Sequence, residues 1–468
     1  MTASSNAPAN HDAYTYHLSQ VNQSKTVLAS QDIVNARGLL LVKKGAPINS
    51  VTAQKILQHR LLTPMEKQVD LEGQLEPRQL YEDIMGLVEG HRDFSQLHAG
   101  ADHCRLDLRA GTIYALSFPL LRQKLTVMAM QLPEEYHKGL FCAWLSMVLC
   151  RDLGLNGEQR NLLFVAALMH DVGMLHIDPA ILAKKDRLSP ADWRAIQSHT
   201  VIGQRIMDAT ENLPGDAGQA ILDHHERCDG TGYPRGLFRE QLGLKGQIIA
   251  IADTLYPLRS KQSDGLRRHL KNLIPVLQMN EKLFLPKVMN ALLVRLRALD
   301  LAPSSQAQGS LADHARVLLR DYDVLAQWLI CTVQLAPYLG EHAKNHKTRV
   351  LRYAIEQLWW LIRTSGLLTA GLRRWVLHVS ENNLQSALPE LEEFLLMQQE
   401  LNWQSQHFAR QLQLMSEDDR CGEETRVQVL KALEQIHKAR EKALAGDSQP
   451  QSRDFDAYEY LLEHKVAL

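Results

Sequence analysis

Two dipeptides, His170-Asp171 and His224-His225, and two single residues, His199 and Asp253, are the side chains of this sequence whose types and spacing suggest chemistry. Each has an ordinary explanation when taken alone. A His-Asp dipeptide occurs by chance, His199 reads as a core histidine bonded to a carbonyl, and His224-His225 as a solvated helix end. Asp253, after the apolar run Ile248 to Ala252, reads as half of a buried ion pair. Together they are more informative. Neutral imidazoles with carboxylates suit Fe, Mn, Zn or similar divalent ions, and one carboxylate can bridge two of them. Two ions lower the pKa of a water and clamp the oxygens of an in-line displacement at phosphorus. The chemistry expected of the set is metal-assisted phosphoester hydrolysis.

Helices must deliver these groups. Asn156 and Gln159 form a capping pair that opens a helix over 157–171, whose apolar body ends at His170-Asp171 just before Gly173. Ser189-Pro190 opens a helix over 190–208 that puts His199 on one face with Ile196 and Gly203. Adjacent histidines on a helix point about 100° apart, so His224 and His225 can share an ion only near a helix end. The further helices expected are 78–92, 112–131, 134–153, 217–227 and 246–259. The segment Asp229 to Gly236 is the one strongly punctuated loop of the central region.

Around this centre the pattern predicts a mainly α chain. Residues 1–24 read as a disordered arm, 25–70 as a small β-containing module with a regulatory or docking role, and 71–124 as a helical connector. A second helical region, 301–445, is expected to serve assembly rather than chemistry, including homo-oligomer contacts, with 446–468 as a tail. Trp359-Trp360 in that region read as packing residues.

Composition narrows the class. Lys+Arg 52 against Asp+Glu 53 leaves a formal charge of -1, which excludes a generic DNA, RNA or membrane-surface binder but not a local basic pocket. Apolar residues at 45% and charged residues at 22% are usual for a globular chain. The longest uncharged apolar run, Leu140 to Cys150, is too short to span a bilayer, which takes ~18 residues or more. No secretory signal is read at the amino terminus, and the six cysteines include no CxxC pair, so a cytoplasmic location is expected.

The segment His224-His225-Glu226, Asp229-Gly230, Gly232-Tyr233-Pro234 and Gly236 is similar to the HHExxDGxGYPxG signature of HD-GYP domains, a branch of the HD metal-dependent phosphohydrolases. The resemblance covers about 125–300. It includes His170-Asp171, His199, and Phe284-Leu285-Pro286 in place of an FDP element. It implies an all-helical HD-type bundle with two divalent ions (Fe, Mn or similar) that hydrolyses cyclic di-GMP to a linear dinucleotide or GMP. By position, Asp171 becomes the bridging carboxylate and, with His170, the catalytic pair. His199, His224 and His225 complete one metal site, His170 and Asp253 serve the other, and Gly230, Gly232, Tyr233 and Pro234 line the substrate pocket. Diguanylate cyclase (GGDEF) domains are the partners implied for the same loop.

The sequence departs from that pattern at several places. Met174 stands where the family's HDxGK has lysine. The family's upstream histidine falls on Lys138, with His137 one position away and Glu134 as a substitute oxygen ligand. Arg259 and Arg267-Arg268-His269 replace the usual continuation after Asp253 and are candidate substrate cations or a solvated face. Cys228 is read as a structural thiol. These departures keep a second reading open: a degenerate domain acting as a cyclic-dinucleotide receptor or scaffold.

Overall fold

The computed structural model describes residues 13–184, 188–260, 269–301, 310–340, 346–417, 421–445 and 455–464, and it is mainly helical. The amino-terminal unit consists of α1 (Ala13–Val21), β1 (Val27–Ala29), β2 (Ile33–Val34), β3 (Leu40–Val42), α2 (Ser50–Leu57) and β4 (Val69–Leu71). β1 pairs antiparallel with β4, Val27 opposite Leu71, and β2 pairs antiparallel with β3, Ile33 opposite Val42. The expected disordered arm is corrected from Ala13 onward; residues 1–12 lie outside the described residues. Tyr14, Leu18 and Val21 recur at helical spacing and are fully buried, so the low charge of this stretch marks a packed helix. The Tyr14 hydroxyl donates to Gln123 Oε1 at 2.9 Å, and its ring stacks on His176 with centroids 5.4 Å apart.

The central bundle follows with α3 (Pro77–Glu89), α4 (Arg92–Ala99), α5 (Cys104–Leu116), α6 (Pro119–Gln131), α7 (Pro133–Leu149) and α8 (Gly157–Leu168). It continues through α9 (Pro179–Leu182), α10 (Pro190–Gln197), α11 (His199–Asp208), α12 (Asp216–Asp223), α13 (Leu244–Ser260), α14 (Ile274–Met279) and α15 (Pro286–Arg297). Proline opens seven of these helices in the first turn, where its missing N–H has no intrahelical partner to lose. One such proline, Pro119, divides the expected helix 112–131 into α5 and α6. Residues 71–124 are no mere connector, because Leu80, Ile84, Phe94 and Leu108 join one continuous core running from Tyr14 to Leu301. At its centre lies α7, buried without a break from Gly139 to Cys150.

The carboxy-terminal region consists of α16 (Leu311–Gly340), α17 (His346–Ser365), α18 (Ala370–Glu381), α19 (Leu388–Ser416), α20 (Glu423–Ala445) and α21 (Ala457–Glu463). It has its own core around Trp328, Trp359 and Leu401, which Met279 of α14 also enters. Trp359 packs there as expected, its indole N–H donating to Thr332 Oγ1 at 2.9 Å. The expected tail is corrected at 455–464: α21 buries Ala457 and Leu461, and the Ala457 N–H donates to the Leu368 carbonyl. Residues 446–454 and 465–468 lie outside the described residues. Among the described residues no helix is long and apolar enough to cross a membrane.

Candidate metal centre

The ligand-bearing dipeptides stand just past helix ends. The capping box at Asn156 and Gln159 forms with both hydrogen bonds, α8 stops at Leu168, and His170-Asp171 lie in the turn beyond it. α12 stops at Asp223, so His224 and His225 also leave the helical path and face one region. The expected helix 190–208 breaks at Ser198, and His199 becomes the first residue of α11. This arrangement needs Gly173. A Cβ there would stand 2.0 Å from the His199 carbonyl oxygen, so only glycine lets the turn after Asp171 reach α11.

Asp171, His199, His224 and His225 offer ligand atoms that all lie within 4.8 Å of one another. Asp171 Oδ1 is 3.3 Å from His199 Nε2 and 4.0 Å from His224 Nε2, and the two imidazole nitrogens are 3.4 Å apart. His170, His199 and His224 each turn Nδ1 to a carbonyl three residues back: Ala167 at 2.8 Å, Ile196 at 2.7 Å and Ile221 at 2.6 Å. In the neutral His199 and His224, an Nδ1–H donated to a carbonyl leaves Nε2 as the lone-pair nitrogen, the form a metal ion requires. Burial lowers His199 and His225 and brings His224 down to about 3, so these three imidazoles are neutral. Asp171 Oδ1 is buried with no hydrogen-bond donor directed at it. A buried anionic oxygen beside neutral imidazole nitrogens fits a divalent transition ion.

The other lobe of the carboxylate differs. Asp171 Oδ2 is 3.2 Å from His170 Nε2, which lies 3.4 Å from Asp253 Oδ1. Cys142, His170 and Asp253 form a second group with metal-ligand spacing. The Lys138 ammonium reaches into it, paired with Asp171 Oδ2 and 3.1 Å from Asp253 Oδ1. Burial opposes the charge on Lys138, yet Asp171 and Asp253 hold it well above the ordinary lysine range. Burial likewise opposes protonation of His170, and Asp171 more than offsets it, raising His170 to about 9. His137, on the exposed side of α7, and Glu134, also exposed, stand outside both groups.

Above the centre opens a cavity of about 450 Å³ whose lining includes Lys138, His225 and Asp253. One side carries Tyr233, stacked on the His225 ring at 4.5 Å, and Trp193. Gly232 lines the cavity, whereas Gly230 and Pro234 are absent from its wall. Those two act on the loop itself: Gly230 has φ +77°, and the Tyr233-Pro234 peptide is cis. The loop is held from behind by buried Glu226, which accepts from the Arg235 and Leu237 N–H groups at 2.7 and 2.9 Å.

Several residues differ from their sequence-level roles. Arg259 binds Asp93 through two contacts of 3.3 Å and covers the Phe94 ring, so it is structural. Arg267 and Arg268 lie outside the described residues. Met174 is half-buried and does not line the cavity. Cys228 is buried, which pushes its thiol up to about 11, in keeping with a structural thiol. Sequence reasoning missed Arg227, which lines the cavity and donates to the His224 carbonyl at 3.1 Å. It also missed Trp403 and His407 on α19, whose stacked rings line the cavity too.

Residues 122–286 match the family model for the HD domain. Cyclic di-GMP phosphodiesterase of Thermotoga maritima is 32% identical over 152 residues, which is 32% of this chain and 41% of that protein. The 3'3'-cGAMP-specific phosphodiesterase 1 of Vibrio cholerae is 38% identical over 115 residues, 24% of this chain and 25% of the relative. The cyclic di-GMP phosphodiesterase response regulator RpfG of Xanthomonas campestris is 32% identical over 146 residues, 30% of this chain and 39% of the relative. Its His-His-Glu and Gly-Tyr-Pro elements, at His224-His225-Glu226 and Gly232-Tyr233-Pro234, are similar to the HD-GYP signature. The chain spans about two-fifths or less of the length of these relatives.

Proposed function

We propose that the chain is a metal-dependent phosphodiesterase acting on a 3',3'-cyclic purine dinucleotide of the cyclic di-GMP class, releasing a linear dinucleotide or GMP. One observation carries this reading: the Asp171–His199–His224–His225 cluster meets, through His225, a cavity of about 450 Å³ whose lining includes Trp193, Tyr233 and Trp403. A divalent ion such as Fe or Mn held by that cluster supplies Lewis-acid charge and an activated water at neutral pH. The chain's own groups do the rest. Tyr233, Trp193 and Trp403 in the lining offer faces for bases, while Arg227 and Lys282 put positive charge on the wall for a phosphodiester. The names of the relatives, which include both cyclic di-GMP and 3'3'-cGAMP, support this substrate class.

The exposed edge of the loop at Pro234 and Arg235 is the surface we assign to a GGDEF-type partner. Val427, Leu430 and Leu444, exposed on α20, support self-association. The six scattered cysteines, with no CxxC pair among them, support a reducing, cytoplasmic setting.

Purified full-length chain loaded with Mn or Fe is expected to convert cyclic di-GMP to linear product, and Asp171→Asn is expected to lose both metal and turnover. Saturable binding of the dinucleotide by fully metallated protein without any cleavage would favour the receptor reading, which Lys138 and Met174 recommend.

A further inference from the structure

We infer that Lys138 is a built-in second cation: the chain binds one divalent ion, at Asp171, His199, His224 and His225, and the lysine ammonium occupies the neighbouring position that a second ion would require. The inference rests on the metal-dependent reading above and concerns how many ions the centre holds.

The carboxylate of Asp171 faces two ways. Oδ1 looks toward the three-histidine side, and Oδ2 toward His170, Asp253 and Lys138. A metal ion on the second side would have to sit about 2.0–2.2 Å from carboxylate oxygen and imidazole nitrogen. The Lys138 ammonium is in contact with Asp171 Oδ2 and 3.1 Å from Asp253 Oδ1, the two oxygens such an ion would bridge. It therefore occupies the space and supplies the charge that these anions need. An ammonium has no lone pair and cannot ligate, so the lysine excludes the ion rather than assisting it.

The phase of α7 sets this arrangement. Lys138 shares a face with Cys142, one turn further on and part of the same group as His170 and Asp253, whereas His137 is turned to the exposed side. The substitution is also chemically self-consistent. Asp171 and Asp253 stay ionised and paired, and the ammonium, tethered on the cavity wall, presents one positive charge toward bound phosphate. A tethered monocation differs from a metal ion in one respect: it polarises phosphate oxygen but does not activate water.

The test is the metal stoichiometry of the full-length chain, measured by elemental analysis after Mn loading and desalting, alongside electron paramagnetic resonance. Wild type is expected to hold one Mn per chain with the spectrum of an isolated ion. Lys138→His supplies an imidazole and is expected to take up two, with the spectrum of a coupled pair. Lys138→Gln, which keeps much of the side-chain length without the charge, is expected to bind a second Mn more weakly. Two ions or a coupled spectrum in wild type would overturn the inference and leave the metal-dependent reading standing. So would a single ion in both variants when circular dichroism shows them folded as wild type. No ion in any of the three proteins would overturn the metal-dependent reading itself.

Discussion

At the residue scale the centre is organised before any ion arrives. Three imidazoles are fixed by carbonyls of their own turns, and the His199 carbonyl packs directly on Gly173. A methyl group at Gly173 must push α11 away, and His199 is its first residue. Gly173→Ala is therefore expected to weaken metal binding roughly 10–100-fold, the range typical of disturbed outer-shell support. Calorimetric titration with Mn measures it, and an unchanged affinity in folded protein would refute the packing argument. The candidate ligands were legible in the sequence only as a set, because each imidazole and carboxylate has an ordinary structural explanation when taken alone. Lys138 was harder to place. Sequence spacing left it level with His137, and only the rotational phase of α7, fixed by burial of Gly139 to Cys150, decides which one turns inward.

At the scale of elements, the starts of helices were legible and their ends were not. Asn156-Gln159 and Ser189-Pro190 are local signals, satisfied by hydrogen bonds within four residues, and both caps form. The ends of α8, α10 and α12 come earlier than apolar periodicity suggests, because the residues after each end turn inward to the Asp171–His199–His224–His225 cluster. Periodicity cannot register that, since it reports burial and not backbone path. The cap of α8 offers a clean check on local energetics. Asn156→Ala removes the acceptor for the Gln159 N–H and is expected to destabilise the fold by about 1 kcal/mol. It should leave metal stoichiometry untouched, because the cap is at the opposite end of α8 from Asp171. Urea unfolding followed by circular dichroism, with metal analysis of the same sample, checks both halves; a loss of metal would show that the cap acts on the site.

At the scale of the whole molecule, the carboxy-terminal helices changed role between sequence and structure. Amphipathic periodicity marked them for packing, and nothing in their composition reveals that α19 crosses the cavity and places Trp403, 52% exposed, on its wall. Such a long-range approach leaves no local trace in the chain. If Trp403 stacks on a base, Trp403→Ala should weaken cyclic dinucleotide binding roughly 5- to 100-fold while leaving metal content intact. Equilibrium dialysis with labelled cyclic di-GMP reads this directly, and equal binding by both proteins would remove α19 from the substrate site. The opposite end of the chain also reaches the centre. Tyr14 of α1 stacks on His176, His176 Nε2 is 2.9 Å from the buried Lys124 ammonium, and His176 ends the short turn that begins one residue after Asp171. α1 is in turn packed against the small module that follows it. One ring stack and the five residues from Val172 to His176 are thus all that separate the amino-terminal helix from the candidate ligand Asp171.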